Sequence, residues 1–299
     1  MRNTFIDNLI NHARKRENLV LIVGDLGYSV VEPFAEEFPD RFINVGVAEQ
    51  NMTGIAAGLA SEGYHVFTYS IANFPLFRCA EQLRNDVDYH NLPVTVVSVG
   101  GGLAYGNLGY SHHAIQDFSL VRSMPNMLIA APGDPLEMEA CVDYLINNAQ
   151  PSYLRINKSG EPKIHDSIPA LSHGGLEILQ NGNNCSNLLL TTGAVLELAY
   201  DIWNTDENVK SNWAVGSIPI WGEKSREVIV DNLKDYKEIV TIEEHLLAGG
   251  FSSYLMELGL RINPFFLEND VCGAVGEQKY LLQQYGLNKN NILNFLKGI

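Results

Sequence analysis

The hydrophobic and polar positions in the first half of the chain follow two alternating patterns. Residues 3–16 carry apolar side chains at helical spacing, and similar spacing predicts helices at 49–62, 76–89 and 134–147. Between these segments lie short continuous apolar runs, which are typical of strands buried on both faces: "NLVLIVGDLG", "RFINVGV", "HVFTYSI", "PVTVVSVGGG" and "SYLRI". Because strands and helices alternate, the pattern predicts an α/β fold with a parallel sheet covered by helices on both faces.

A polar segment at 157–174, "NKSGEPKIHDSIPALSHG", interrupts this alternation and predicts a linker. The chain then continues with "LEILQNGNNCSNLLLTTG", where the Asn/Gly cluster predicts a hairpin turn between two strands. Further helical and strand-like segments follow to the end. The sequence therefore predicts two domains, the first at 1–165 and a smaller α/β domain at 166–299.

Composition excludes several classes of partner. The 299 residues carry a formal net charge of −15, which argues against nucleic acid and anionic membranes because both require a basic surface. No apolar run approaches the roughly 18–20 residues of a membrane span, and the N-terminal segment lacks the apolar centre of a signal peptide. The four cysteines have no metal-ligand spacing. We therefore expect a cytoplasmic protein with reduced cysteines.

One carboxylate stands out in the stretch "FINVGVAEQNMTGIAAGLASEG". Glu49 lies at the junction of a predicted buried strand and a helix of small residues, where removing a charge from water is costly. A carboxylate near a helix N-terminus is also stabilised by the helix dipole, so a purely structural role is one explanation. The other is a functional role in a site at the end of the strand.

Other chemistry-bearing residues lie in loops or strands of the first domain. His112 and His113 follow the Gly-rich segment "GGGLAYG", at the end of a predicted parallel strand where ligands commonly bind. No Asp, Glu or Cys stands beside them at metal-ligand spacing. Arg155 lies in the apolar strand "SYLRI" and must be paired, either with a structural carboxylate or with an anionic ligand.

The chain resembles the transketolase family over nearly its whole length. The segments "GVAEQNMTGIAAGLA", "RCAEQLRNDV", "GYSHHAIQDFSLVRSMPNM", "APGDPLEMEA" and "PSYLRI" resemble, in order and spacing, the pyrimidine-binding domain of transketolases. The later segments "IVTIEEHLLAGGFSSYLMELG" and "GEQKYLLQQYGLNKNNI" resemble the C-terminal domain that follows it. The diphosphate-binding domain, with its GDG…N motif, has no counterpart; "GDLG" is a coincidental likeness.

This resemblance implies one subunit of a split transketolase, a thiamine-diphosphate-dependent transferase of carbohydrate metabolism. The partner would be an N-terminal diphosphate-binding subunit, forming an α2β2 heterotetramer. The partner would also hold the Mg²⁺ or Ca²⁺ ion, so we expect no metal site in this chain. The expected substrate is a small anionic, sugar-like molecule, and the expected reaction moves a two-carbon ketol or acyl unit onto an aldehyde or sugar acceptor.

The resemblance also assigns site residues. Glu49 matches the glutamate that hydrogen-bonds N1′ of the thiamine diphosphate pyrimidine and promotes the imino tautomer, whose exocyclic nitrogen removes the thiazolium C2 proton. Phe74 matches an aromatic residue that stacks on the aminopyrimidine ring, with Phe77 as a second cofactor contact. His112 is expected to be catalytic and to bind substrate. The remaining expected substrate-binding residues, which would hold a phosphate, are Arg2, Ser29 and Arg155.

Three positions depart from the family pattern. Leu108 stands where transketolases have an Asp that recognises the sugar C2 hydroxyl, and Gly100 stands where they have a substrate-binding His. Ile71 replaces a usual aromatic residue. The cofactor half of the site is therefore expected to be intact and the sugar half altered, so neither donor nor acceptor follows from the sequence.

Two alternatives remain open. The chain could be the β subunit of a 2-oxoacid dehydrogenase or part of an enzyme like deoxyxylulose-phosphate synthase, since both use the same two domains. It could also be a non-catalytic scaffold that keeps the fold and the partner surface. The presence of both Glu49 and His112 argues against a scaffold.

Overall fold

The computed structural model describes residues 1–158, 160–181 and 185–299. The strands of these parts are β1 Leu19–Val23, β2 Phe42–Asn44, β3 His65–Ile71, β4 Val94–Val99, β5 Leu128–Ala130, β6 Ser152–Ile156, β7 Glu177–Gln180, β8 Asn187–Thr191, β9 Trp213–Ser217, β10 Ile220–Trp221, β11 Glu238–Leu246 and β12 Asn263–Leu267. The helices are α1 Arg2–Ala13, α2 Glu32–Glu37, α3 Glu49–Ser61, α4 Phe74–Phe77, α5 Ala80–Gln82, α6 Asp117–Val121, α7 Pro135–Asn147, α8 Leu196–Thr205, α9 Glu207–Asn212, α10 Arg226–Leu233, α11 Phe251–Glu257, α12 Gln278–Gln284 and α13 Lys289–Gly298.

The first sheet has the strand order β10-β5-β6-β4-β3-β1-β2, and its strands β1 to β6 are parallel. Alternate residues of β1 enter different cores: Val20 and Ile22 join one buried cluster and Leu21 joins another. Both faces of the strand are therefore buried, which explains its continuous apolar sequence. The predicted parallel sheet with helices on both faces is confirmed.

The second sheet has the order β12-β11-β8-β9-β7, with β7 as its antiparallel edge strand. The strands β7 and β8 do not pair with each other: β7 pairs with β9, and β8 lies between β9 and β11. The predicted hairpin is therefore wrong as a pairing of strands, because a third strand separates the two. Residues 182–184, part of its predicted turn, lie outside the described residues.

The two halves of the chain are joined through the first sheet. β10 pairs with β5 in antiparallel orientation, so a strand from beyond residue 165 forms the edge of that sheet. The boundary between 1–165 and 166–299 therefore remains a prediction.

The predicted helix at 76–89 is broken into α4, α5 and a π-helical turn at Leu83–Asp88. Such turns are frequent near functional sites.

The carboxyl ends of the parallel strands β2, β3 and β4 lie at one edge of the first sheet. The loop after β2 leads into α3, the loop after β3 leads into α4, and a long loop follows β4. In open parallel sheets this edge is where ligands bind. Within the described ranges, no helix is long and apolar enough to cross a membrane.

Candidate active site

Glu49 is the first residue of α3, and it lies at the ligand-binding edge of the first sheet. The residue is only 4% exposed although it carries a carboxylate. The backbone N–H groups of the first helical turn favour negative charge at this point. Gly24 lies beside this side chain: a Cβ atom added to it would come within 3.7 Å of Cγ of Glu49, which is ordinary van der Waals contact. A cavity of about 430 Å³ opens beside it, lined by Val47, Ala48, Glu49, Gln50, Asn51 and Arg78.

The structure brings Glu49 and Phe74 together through Arg78, a residue that the sequence analysis did not single out. Nη1 of Arg78 lies 3.2 Å from Oε1 and 3.1 Å from Oε2 of Glu49. The guanidinium carbon of the same side chain lies 4.3 Å from the centre of the Phe74 ring. Phe74 and Arg78 are four residues apart, which places both on one side of a helical turn. The sequence signals for this residue were that spacing and its place at the start of the family-like segment "RCAEQLRNDV".

His112 extends the group on the other side of Phe74. Its ring meets the Phe74 ring edge-on, with 5.3 Å between the ring centres. Nδ1 of His112 lies 3.0 Å from the hydroxyl oxygen of Ser111, and partial burial lowers the pKa of His112. The imidazole is therefore neutral at pH 7, with one nitrogen able to donate and the other able to accept a proton. Glu49, Arg78, Phe74 and His112 form one continuous set of contacts.

His113 points away from this group. It is fully buried, with Nε2 3.4 Å from the carbonyl oxygen of Gly106, and Asn73 donates a hydrogen bond of 2.6 Å to its backbone carbonyl. Asn73 immediately precedes Phe74, so these bonds fix the loop of the two histidines against the start of α4. Of the two histidines, only His112 faces the aromatic ring.

Tyr105 fills the space that a side chain at position 100 would need. A Cβ atom added to Gly100 would lie 2.2 Å from the Tyr105 ring, and the φ angle of Gly100 is +90°. The Tyr105 ring also lies 6.3 Å from the ring of His112, centre to centre. Tyr105 therefore occupies the part of the site where the family pattern predicts a histidine at position 100. Leu108, the other altered position, is 53% exposed.

Arg155 is paired within the chain. Its Nε donates to Oδ2 of Asp117 over 2.8 Å, and its Nη2 donates to the backbone carbonyls of Ala114 and Glu244. The side chain of Arg155 is 5% exposed and that of Asp117 is fully buried. The structural pairing is thus the arrangement observed, and it does not support the predicted contact with an anionic substrate, because two of the three guanidinium nitrogens are already engaged.

Arg2 and Ser29 lie near the same edge but outside the group around Glu49. Nε of Arg2 is buried and has no hydrogen-bond partner among the described residues, and its charge counteracts the rise that burial causes in the pKa of Tyr69. Ser29 is exposed at a φ of +63°, and its backbone N–H donates to Glu32 over 2.8 Å. Neither residue is joined to Glu49 by a hydrogen bond or ion pair in the described parts of the chain.

Phe77, at the outer end of α4, is 48% exposed. A second cavity of about 470 Å³ lies beside α8 and α12, and none of the predicted site residues line it. Among the described residues, no cluster of three or more His, Cys, Asp or Glu side chains could hold a metal ion.

Comparison with known proteins gives a consistent family. The family model for the "Transketolase, pyrimidine binding domain" matches residues 1–162. An apulose-4-phosphate transketolase subunit of Actinobacillus succinogenes is 28% identical over 98% of this chain and 96% of its own length. The putative transketolase C-terminal section of Methanocaldococcus jannaschii is 33% identical, over 98% of this chain and 93% of that protein. The 1-deoxy-D-xylulose-5-phosphate synthase 2 of Geobacter sulfurreducens is 34% identical, but this chain spans 43% of it.

The solved structures agree. A split-gene transketolase, described as an inactive β4 tetramer, superposes with a TM-score of 0.84 at 28% identity, covering 99% of this chain and 96% of that one. The resemblance stated from the sequence is confirmed. The chain belongs to the transketolase family through its pyrimidine-binding domain, and over nearly its whole length it matches the C-terminal subunits of split transketolases.

Proposed function

We propose that this chain is the pyrimidine-side subunit of a thiamine-diphosphate-dependent transferase, active only with a separate diphosphate-binding subunit. The enzyme moves a two-carbon ketol or acyl unit onto an aldehyde or sugar acceptor. The observation that carries the proposal is the buried carboxylate of Glu49 at the start of α3, with the Phe74 ring nearby across a single side chain. The relatives matched nearly end to end are transketolase subunits, which favours this activity over the synthase alternative.

The residues present fit the aminopyrimidine half of the cofactor. The cavity beside Glu49 offers a buried acceptor, and the nearby face of Phe74 already carries a planar cation at 4.3 Å. A flat heterocycle with N–H donors requires the same two contacts. When bound, thiamine diphosphate supplies a nucleophilic carbon at C2 of its thiazolium ring. The diphosphate and its Mg²⁺ or Ca²⁺ ion are assigned to the partner subunit.

In this proposal the side chains hold the ring and control protons. Glu49 would hold the pyrimidine by a hydrogen bond between its carboxylate and a ring nitrogen, and the proton would lie in that bond. Phe74, and Phe77 at the outer end of the same short helix, fix the plane of the ring. His112 lies against Phe74 and is neutral, so it can donate to or accept from an oxygen of the substrate.

The substrate-binding residues are assigned to a class of ligand and not to one sugar. Arg2, Ser29 and His112 are proposed to bind an anionic group of a sugar-like substrate, and Nε of Arg2 has no partner within the described residues. Arg155 adds to this site at most through Nη1, for which the described residues show no hydrogen bond, and we assign it mainly to positioning the loop that carries Ala114. We further propose an α2β2 assembly, a cytoplasmic location, a role in carbohydrate metabolism, and domains at 1–165 and 166–299.

Reconstitution tests the proposal. This chain is expressed alone, and then together with the protein of its genome that carries the diphosphate-binding GDG…N motif. We expect ketol transfer, measured as aldehyde release from a panel of ketose phosphates, only from the mixture with Mg²⁺ and thiamine diphosphate. In the mixture, Glu49→Gln abolishes turnover while Glu62→Gln, the same change at the exposed C-terminal end of α3, leaves most of it. Full turnover with Glu49→Gln would support the scaffold alternative instead.

A further inference from the structure

Arg78 makes the two contacts that the proposed function assigns to the aminopyrimidine ring. Its Nη1 bonds both carboxylate oxygens of Glu49, and its guanidinium carbon lies over the Phe74 ring, 4.3 Å from the ring centre. A ring that hydrogen-bonds Glu49 and stacks on the face of Phe74 that Arg78 covers would need the same space. The guanidinium and the ring cannot both occupy it.

The guanidinium also resembles the ring chemically. It is planar and cationic, and it presents N–H donors at its edge and a flat face to an aromatic partner. An aminopyrimidine protonated on a ring nitrogen presents the same combination. The contacts of Arg78 therefore satisfy the buried carboxylate of Glu49, which is 4% exposed and would otherwise lack a donor to its oxygens among the described residues.

The contacts of Arg78 are of a kind that a ligand can replace. The two N···O distances to Glu49, 3.2 Å and 3.1 Å, are long for charge-assisted hydrogen bonds, which are typically about 2.7–2.9 Å. The Arg78 side chain is 51% exposed, so it can turn into water. Its backbone is held separately, because Nε2 of Gln50 donates to the carbonyl of Arg78 over 2.8 Å. The side chain can therefore leave without moving α4 away from α3.

We infer that Arg78 is a placeholder for the aminopyrimidine ring: its guanidinium occupies the ring position between Glu49 and Phe74 in the free subunit and leaves it when thiamine diphosphate enters. This inference rests on the proposed function. Departure of the guanidinium frees both carboxylate oxygens of Glu49 to accept hydrogen bonds from the ring.

The first experiment examines the free subunit and needs no cofactor. Phenylglyoxal modifies free guanidinium groups, and peptide mass spectrometry gives the rate at each arginine. In Glu49→Gln, where the ion pair is lost, we expect faster labelling of Arg78 and an unchanged rate at Arg84, which is exposed and bonds to its neighbour Asn85. Equal rates at Arg78 in both proteins would overturn the inference, because the guanidinium would then not be held by Glu49.

The second experiment measures the dissociation constant of thiamine diphosphate in the assembled two-subunit complex by calorimetry with Mg²⁺. Because the ion pair is half exposed, removing it in Arg78→Ala should tighten binding by about fivefold. Arg78→Lys keeps the charge but not the planar group, so its dissociation constant should lie between those of the wild type and Arg78→Ala. This variant replaces Arg78→Ala in the test if the alanine variant does not fold. Arg84→Ala is the matched control and should bind like the wild type.

The outcomes separate the two ideas. If the wild-type complex binds the cofactor and Arg78→Ala binds equally well or more weakly, the placeholder role is overturned and the proposed function stands. If the wild-type complex does not bind thiamine diphosphate at all, the proposed function fails and the placeholder role falls with it, while the labelling result still reports the ion pair. The inference is supported if Arg78→Ala binds thiamine diphosphate more tightly than the wild type while Arg84→Ala does not.

Discussion

Asp117→Ala tests whether Arg155 belongs to the structure or to the substrate site. The substitution removes a carboxylate oxygen, Oδ2, that accepts two hydrogen bonds, one of 2.8 Å from Nε of Arg155 and one of 2.6 Å from the hydroxyl of Tyr153. All three residues are buried. The variant therefore leaves a buried guanidinium without the carboxylate to which it is hydrogen-bonded.

The expected loss of stability follows from these contacts. A hydrogen bond to a charged group contributes about 1.5–3 kcal/mol, and breaking a buried ion pair by removing one partner typically costs about 3–5 kcal/mol. We expect Asp117→Ala to lower the free energy of unfolding by about 3–5 kcal/mol. The double variant Asp117→Leu with Arg155→Met should recover most of this loss, because neither member of the broken ion pair is then left in the interior without the other.

The assay is urea unfolding of the isolated chain, followed by tryptophan fluorescence. The matched control is Glu37→Ala, which breaks a pair of similar geometry on the surface: Arg14 donates to Glu37 over 2.7 Å and 2.8 Å, with both side chains well exposed. We expect this control to change stability little, because solvent screens the pair. A loss of less than about 1 kcal/mol for Asp117→Ala would refute the reasoning and return Arg155 to the candidates for substrate binding.

Three further predictions concern substrate, pH and backbone. Because Leu108 and Gly100 lack polar side chains, xylulose and ribose phosphates should react about 10²-fold more slowly than the enzyme's native donor and acceptor, and Leu108→Asp should reduce this difference in rate. Rapid turnover of these two sugar phosphates by the reconstituted enzyme would disprove this expectation. Burial raises the pKa of Glu243 from 4.5 to about 7, so the free energy of unfolding of the wild type should exceed that of Glu243→Gln most at low pH, and this excess should decline as pH rises from 4.5 through 7. An excess that stays constant between pH 4 and 8 would contradict this prediction. Gly102→Ala should cost at least about 2 kcal/mol in urea unfolding, because φ is +65° and the new Cβ would lie 2.2 Å from Cδ of Glu244; wild-type stability would show that the loop adjusts freely.

Much of the fold followed from the sequence because its strands carry a strong local signal. A run such as "LVLIV" is apolar at every position, since both faces of β1 are covered, and helix α3 begins at Glu49 as predicted. The pairing of β10 with β5 could not be predicted, because two residues carry no periodic pattern and the contact joins distant parts of the chain. The predicted hairpin failed for the same reason: the strand between β7 and β8 comes later in the sequence.

The candidate site divides in the same way. The positions of Glu49, Phe74 and His112 followed from motifs, and they lie on successive loops of one sheet edge. Arg78 and Tyr105 were missed because their roles depend on where their side chains turn in three dimensions. For Arg155, the sequence required a partner but could not choose between a carboxylate and a ligand, since Asp117 lies 38 residues away.

Deuterium exchange at C2 of thiamine diphosphate tests the central claim most directly, because it reports activation of the cofactor without requiring the native substrate. The assembled complex is mixed with cofactor and Mg²⁺ in deuterated water, quenched in acid at millisecond intervals, and the remaining C2 proton is measured by NMR. We predict fast exchange in the wild-type complex, and exchange no faster than that of free cofactor with either subunit alone or with Glu49→Gln. Fast exchange in the Glu49→Gln complex would contradict the assignment of Glu49, and with it the account of the site.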